Sequence, residues 1–513
     1  MTDVKKQVVH HSHGPEEKIE WGSTVSIHPM PPTLQGLTSE EIASLENALV
    51  RKLDIRLMPM LVLIYIMNYL DRYWYYFIQM FKHILPNKIF RNAIAAAKLS
   101  GITEELGLTS VQFQTCVSIL FVGYILMQVP SNLFLNKIGK PALYLPTCMI
   151  IWGILCGVSG ATQGYDGLVA CRFILGFVEA AYFPGCMATL SAWYTRKELS
   201  LRTAILYCGS LLSGAFSGLI AAGINDGMNG VRGLLAWRWL FIIEQGSITV
   251  LIAFAAYFVL PNFPHNSTCI TEQQRELAIW RLAKDIREDE WDSEEKPTLM
   301  GGFKECITDS KTWFLVVLNL GAVSSGTINS FFPTVVEGLG ESRIHTLLLT
   351  VPPYILSCIV AMAVSRNADR TGERYFHFTL PLWVSIAGFI ISAATTEFGP
   401  RYFAMMIMLP GVYTAFIIGI SWVANTLPRP SSKRAAALAL TNAIANCSSI
   451  YSPYLYPDSG APRFILAMSV NAGTSLLAIF TATVFRFILQ KLNRKLDRRE
   501  LEGGNNGGFR YLL

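Results

Sequence analysis

Apolar runs of about 20 residues dominate the chain, and that is the length a helix needs to cross the hydrocarbon of a bilayer. Twelve runs fall at 55–77, 112–135, 142–161, 166–188, 203–224, 238–260, 312–335, 346–366, 377–396, 402–425, 435–456 and 464–487. Backbone groups in lipid must be satisfied internally, so such runs are read as helices. The expected fold class is all-α integral membrane, twelve transmembrane helices in two six-helix halves. Charged residues make up 15% of the chain, against about 25% in soluble domains. This excludes a soluble globule, and the hydrophobicity excludes disorder. The net charge of +6 sits in short clusters between apolar runs, not in the basic stripe of a nucleic-acid binder.

The spacing breaks once, in a polar stretch after Pro261 that opens a surface helix with the capping-box pattern Thr271-Glu272-Gln273-Gln274. The expected organisation is a tail over 1–51, a first half over 52–262, a central loop over 263–311, a second half over 312–488 and a tail over 489–513. Basic residues orient it. Lys137 and Lys140 follow segment 2, Arg196, Lys197 and Arg202 follow segment 4, Arg366, Arg370 and Arg374 follow segment 8, and Arg429, Lys433 and Arg434 follow segment 10. The loops after segments 7, 9 and 11 show only Arg343, Arg401 and Arg463. By the positive-inside rule both termini are cytoplasmic, and a multi-pass protein of the plasma membrane is expected.

The loop Asn136-Lys137-Ile138-Gly139-Lys140 after segment 2 repeats as Asp369-Arg370-Thr371-Gly372-Glu373-Arg374 after segment 8. A six-helix unit duplicated in parallel implies two halves rocking about a midplane site. Lys137, Gly139, Lys140, Asp369, Arg370, Gly372 and Arg374 are the candidate gating residues. Longer blocks share one order along the chain: Asn68-Tyr69-Leu70-Asp71-Arg72, Phe121-Val122-Gly123-Tyr124, Val129-Pro130-Ser131-Asn132, Arg172-Phe173-Ile174-Leu175-Gly176-Phe177-Val178-Glu179-Ala180, Trp193-Tyr194-Thr195-Arg196, Ala236-Trp237-Arg238-Trp239, Val351-Pro352-Pro353-Tyr354, Lys433-Arg434-Ala435 and Tyr451-Ser452-Pro453-Tyr454. In these blocks the chain resembles the fungal allantoate/nicotinate/pantothenate permease group, the anion:cation symporters of the major facilitator superfamily. The resemblance implies alternating access and proton-coupled uptake of a small organic anion, such as a carboxylate vitamin or a nitrogen compound, by a monomer in the bilayer. One departure is Asn136, where the superfamily motif commonly has Asp, so a charge pairing kept at Asp369 is lost in the first half.

Charged groups within membrane helices are costly and mark function. Arg172 and Glu179 lie seven residues apart in segment 4, two turns along one face. Arg172 could hold a substrate carboxylate, and Glu179 could carry the symported proton, with Asp71 as a second proton site. Both also suit a structural role, as does the Arg238 and Glu244 pair of segment 6. Tyr124, Gln128, Asn329, Trp422, Asn425, Asn442, Asn446 and Tyr451 could shape the cavity, and Asn442 and Asn446 form an i, i+4 pair. Interhelical hydrogen bonding suits such amides equally well. The ten cysteines show no C-x-x-C pair, and no phosphate loop, nucleophile elbow or H-E-x-x-H occurs. No metal, cofactor, nucleic-acid partner or enzyme activity is therefore expected. A nutrient sensor or an uncoupled facilitator would use the same fold. The short tails disfavour the first, and the intramembrane carboxylates disfavour the second.

In the resembling family the Asp-Arg pair runs almost directly into an Asn-x-x-x-Ala stretch. Here residues 73–91 separate Asp71-Arg72 from Asn92-Ala93-Ile94 and place Lys82, Lys88 and Arg91 in an outer loop. The nineteen codons fit a retained intron. The genetic code permits it: Arg72-Tyr73 can be written AGG-TAT, placing GT after AG, Pro86-Asn87 can be CCT-AAC with a branch-like CTAAC, and Phe90-Arg91 can be TTT-AGG with the closing AG. The competing reading is a true extension of segment 1 with an aromatic belt. Sequencing cDNA across codons 72 to 92 is expected to show a dominant transcript lacking the 57 nucleotides. An uninterrupted insert in that transcript would sink the splicing account.

Overall fold

A computed structural model describes residues 30–83, 102, 105–228, 230–286, 299–328, 343–456, 463–503 and 509–513. Its first half comprises α1 (Ser39–His83), α2 (Ser110–Ile138), α3 (Pro141–Ser159), α4 (Tyr165–Glu179), α5 (Tyr182–Trp193) and α6 (Leu199–Met228), then α7 (Ala236–Leu240) and α8 (Thr249–Val259), joined by a π-helical turn over Phe241–Ile248. The central loop carries α9 (Glu272–Ile286) and α10 (Leu299–Thr308). The second half holds α11 (Ser310–Gly326), α12 (Arg343–Thr371), α13 (Tyr375–Ala394), α14 (Phe398–Thr426), α15 (Ser431–Asn446), the short α16 (Ser448–Tyr451) and α17 (Ile465–Gly503).

Among the described residues, eight spans are long and apolar enough to cross a membrane: α1, α2, α3, α4 with α5, α7 through α8, α13, α14 and α17. The other four expected segments fall on α6, α11, α12 and α15. Helix α15 is short and polar, and its Ser432, Thr441 and Asn442 side chains are buried within the bundle. Segment 11, expected at 435–456, continues helically to Leu455 in three pieces, with α15 ending at Asn446 and α16 taking up from Ser448 to Tyr451. A 3₁₀ turn over Ser452–Leu455 follows, with a proline in its first positions. The helices extend beyond the expected membrane segments into the tails and the central loop. Helix α1 already begins at Ser39, α11 at Ser310, and α17 runs to Gly503. Helix α1 spans 45 residues, about 68 Å at 1.5 Å per residue, so the backbone of the anomalous segment is helical as far as His83. Residues 84–91 lie outside the described residues.

Local rules account for the ends. Thr109 and Gln112 form a reciprocal capping box at the start of α2. Thr271 and Gln274 do the same at α9. Helix α2 ends at Gly139 with φ 66°, and α12 is followed by Gly372 with φ 67°. Both repeat loops thus turn through the left-handed region that favours glycine. The halves meet along two seams related by the repeat, α2 against α15 and α6 against α12. Within the first half, α4 packs on α2 across Gly176, where a Cβ would stand 2.1 Å from the Leu120 carbonyl oxygen. Gly176→Val should therefore force the two helices apart and destabilise the fold by about 1–3 kcal/mol. The loss would appear as a lower melting temperature of the purified protein. An unchanged melting temperature would show that the two helices can separate freely there.

Candidate functional site

The end of the bundle that carries the basic loops is closed by polar contacts between the halves. Asp369, at the end of α12, accepts the backbone N–H groups of Ser200 and Leu201 at 3.2 and 2.8 Å, in the first turn of α6. These amides have no intrahelical acceptor, and the positive end of the helix dipole favours an anion. Arg374, fully buried, pairs with Asp369 at 2.9 Å and donates to the Arg196 carbonyl at 2.7 Å. Burial lowers the pKa of Arg374, while Asp369 and Glu373 push it back up. At the other seam, Asn132 of α2 donates to the Ala435 carbonyl of α15 at 2.7 Å. No side chain caps α15, whose N-cap is Pro430. Asp309 instead anchors Lys433 at 2.7 Å and Lys311 at 3.1 Å. Burial raises the pKa of Asp309, but the hydrogen bonds from the two lysines outweigh it and hold the carboxyl below its ordinary value.

Above this closure lies a small cavity of about 40 Å³ between the halves. Tyr65, Asn68 and Tyr69 of α1 reach it from one helix face, at i, i+3 and i+4. Tyr124 of α2, Phe183 of α5 and Tyr207 of α6 complete the first-half wall. Val323 of α11, Phe416 of α14, and Asn442 and Asn446 of α15 form the opposite wall. Aromatic contacts bridge the halves. Phe183 stacks on Tyr65 at 5.6 Å and on Phe416 at 5.9 Å, and Tyr207 meets Phe416 at 5.0 Å between centroids. Such pairs contribute beyond their buried area. Asn442 Nδ2 donates across the seam to the Tyr124 hydroxyl at 3.3 Å and to Gln128 Oε1 at 3.0 Å. Asn446 Nδ2 turns back onto Asn442, at 2.8 Å to its carbonyl and 3.1 Å to its side chain. Two buried amide donors, Asn68 Nδ2 in the lining and Gln128 Nε2 beside it, have no acceptor among the described residues.

Of the expected site residues, Tyr124, Asn442 and Asn446 line the cavity, and Gln128 supports Asn442 from behind. Arg172 and Glu179, at 1% and 0% exposure, do not line it. They share one buried face of α4, and the Arg172 guanidinium lies over the Phe241 ring at 5.1 Å, against the π-helical turn. Phe183, one turn beyond Glu179, is what α5 presents to the cavity. Trp422 lies away from the cavity, with its indole N–H donated to the Leu512 carbonyl. Tyr451 donates to Ser324 at 2.8 Å. Lys137, Lys140 and Arg370 are exposed at the basic end. Asn329 and the side chains of Asp71 and Glu244 lie outside the described residues. Sequence reasoning did not single out Tyr65, Phe183, Tyr207 or Phe416, because an aromatic residue in an apolar run reads the same whether it faces a core, a lipid or a cavity.

The family model described as Major Facilitator Superfamily matches residues 61–453. The chain belongs to the major facilitator superfamily. Among its relatives, the MFS-type transporter cnsO of Penicillium expansum is 32% identical over 475 residues, covering 88% of this chain and 86% of that protein. The major facilitator-type transporter hxnP of Emericella nidulans is 28% identical over 465 residues, covering 89% and 88%. Among solved structures, the proton:xylose symporter XylE aligns with a TM-score of 0.63 at 13% identity, over 85% of this chain and 95% of that one. At that identity the likeness is one of fold. The chain is thus a multi-pass membrane transporter of this superfamily and not an enzyme.

Proposed function

We propose that this transporter imports a small organic anion together with a proton, as the allantoate/nicotinate/pantothenate permease group does. The basic end would face the cytoplasm and the protein would sit in the plasma membrane as a monomer. One observation carries the reading. The walls of the cavity offer phenol and amide donors, and two buried amide donors, on Asn68 in the lining and Gln128 beside it, lack an acceptor among the described residues. A buried donor left unmade costs about 1–3 kcal/mol, and a carboxylate, which only accepts, is the ligand that recovers this. In this reading Tyr124, Asn442, Asn446 and Asn329 contact the substrate. Arg172 supplies the positive charge as the halves rock, and Glu179 takes up and releases the proton, with Asp71 as the alternative proton site.

A second reading rests on the absence of Lys, Arg, Asp and Glu from the lining among the described residues. Neutral walls suit an uncharged polar solute.

The test is uptake of labelled nicotinate, pantothenate, allantoate, biotin and an uncharged sugar, at acidic and neutral external pH. Acid-stimulated, uncoupler-sensitive uptake of one carboxylate is expected. Glu179→Gln should lower that uptake by about tenfold or more and flatten its pH dependence, at unchanged surface abundance. Uptake of the sugar alone would favour the second reading. Carboxylate uptake that Glu179→Gln leaves acid-stimulated would overturn the role given to Glu179.

A further inference from the structure

Residues Phe509–Leu513 lie along the basic end, on the loops that close the cavity there. The backbone carbonyl of Arg510 accepts from Arg196 at 3.0 Å, and the Arg196 guanidinium lies over the Phe509 ring at 5.1 Å. Arg196 belongs to the first half, in the loop before α6. The remaining contacts are to the second half. Tyr511 pairs twice with Asn493 of α17, each bond at 2.9 Å, and its ring lies under Lys311. The Leu512 carbonyl accepts the indole N–H of buried Trp422 at 3.1 Å. The Leu513 carbonyl accepts the N–H groups of Arg374 and of Tyr375, the latter at 3.1 Å. Helix α13 has no side-chain cap at Arg374, so the segment supplies the acceptor that its first turn lacks.

We propose that residues 509–513 act as an intramolecular strap that stabilises the state closed at the basic end. The strap ties Arg196 to Arg374 and Tyr375, the same two loops that Asp369 and Arg374 already join. These loops must separate if the cavity is to open on that side. A segment that binds one of two conformations shifts the equilibrium toward it by its differential affinity. Because the strap is tethered, it acts at a high effective concentration. Its release would then be a control point for opening. The inference rests on the alternating-access reading, but its test needs no substrate.

The experiment is hydrogen–deuterium exchange on the purified full chain and on a variant ending at residue 508. The first turn of α6 is the informative region, because none of the strap bonds named above falls on it. Deletion is expected to raise exchange in peptides covering Leu199–Arg202 by about threefold or more through local opening, with exchange in α3 unchanged. Trp422→Phe, which removes one strap bond and keeps an aromatic ring, should raise exchange in the same peptides by less. Unchanged exchange at 199–202 after deletion would overturn the strap. A rise spread equally over α3 would overturn it as well, since it would indicate general loosening. Neither result depends on the substrate or the coupling ion.

Discussion

Two half-bundles that must move against each other need a contact strong enough to hold and specific enough to release, and here Asp369 makes it. Its carboxylate meets the first amides of α6 and the guanidinium of Arg374, with both side chains almost fully buried. Each partner answers a need of another: α6 needs an acceptor, buried Arg374 needs an anion, and the Arg196 carbonyl needs a donor. Removing one member of a buried pair costs about 3–5 kcal/mol, because the other charge is left in a low dielectric. The repeat-related seam has Asn136 in the equivalent place and leaves α15 uncapped; Asn132 donates across it, while the Asp309–Lys433 pair joins the starts of α11 and α15. The closure is therefore asymmetric, and the α6–α12 seam carries its charged latch.

The cavity follows from the closure below it. Helices α1, α2, α5 and α6 of one half face α11, α14 and α15 of the other across aromatic rings and one amide chain, Asn446 to Asn442 to Gln128. Aromatic surfaces tolerate sliding better than a lattice of charges, so a cavity walled by tyrosine and phenylalanine can change shape without breaking ion pairs. Of the buried charges of α4, Arg172 packs over Phe241 of the π-helical turn. π-helical turns recur at functional sites in membrane and soluble helices alike, and this one gives Arg172 its aromatic partner.

Much of the architecture was legible in the sequence because lipid imposes a simple rule: a long apolar run is a helix. The repeat was legible because Gly139 and Gly372 must both adopt positive φ. The capping box at Thr271 was legible because its two hydrogen bonds are local. What escaped depends on non-local partners. The length of α1 is hidden because its first turns are polar and cross no lipid. The π-helical turn over Phe241–Ile248 leaves no periodic signal. The cavity aromatics Tyr65, Phe183, Tyr207 and Phe416 are indistinguishable in sequence from core residues. Arg172 and Glu179 were legible as buried charges, but that they lie outside the cavity lining depends on how α4 packs, which the sequence does not show.

The most direct test of the account asks from which side the cavity can be reached. A cysteine at Asn68, in the cavity wall, would be alkylated by a membrane-impermeant thiol reagent applied to the basic face of sealed vesicles, with the parent chain as baseline. The account predicts slow modification from that face while Asp369 is intact, and a clear acceleration when Asp369→Asn is combined with it. Rapid modification from the basic face with Asp369 intact, or a rate that Asp369→Asn does not change, would contradict it.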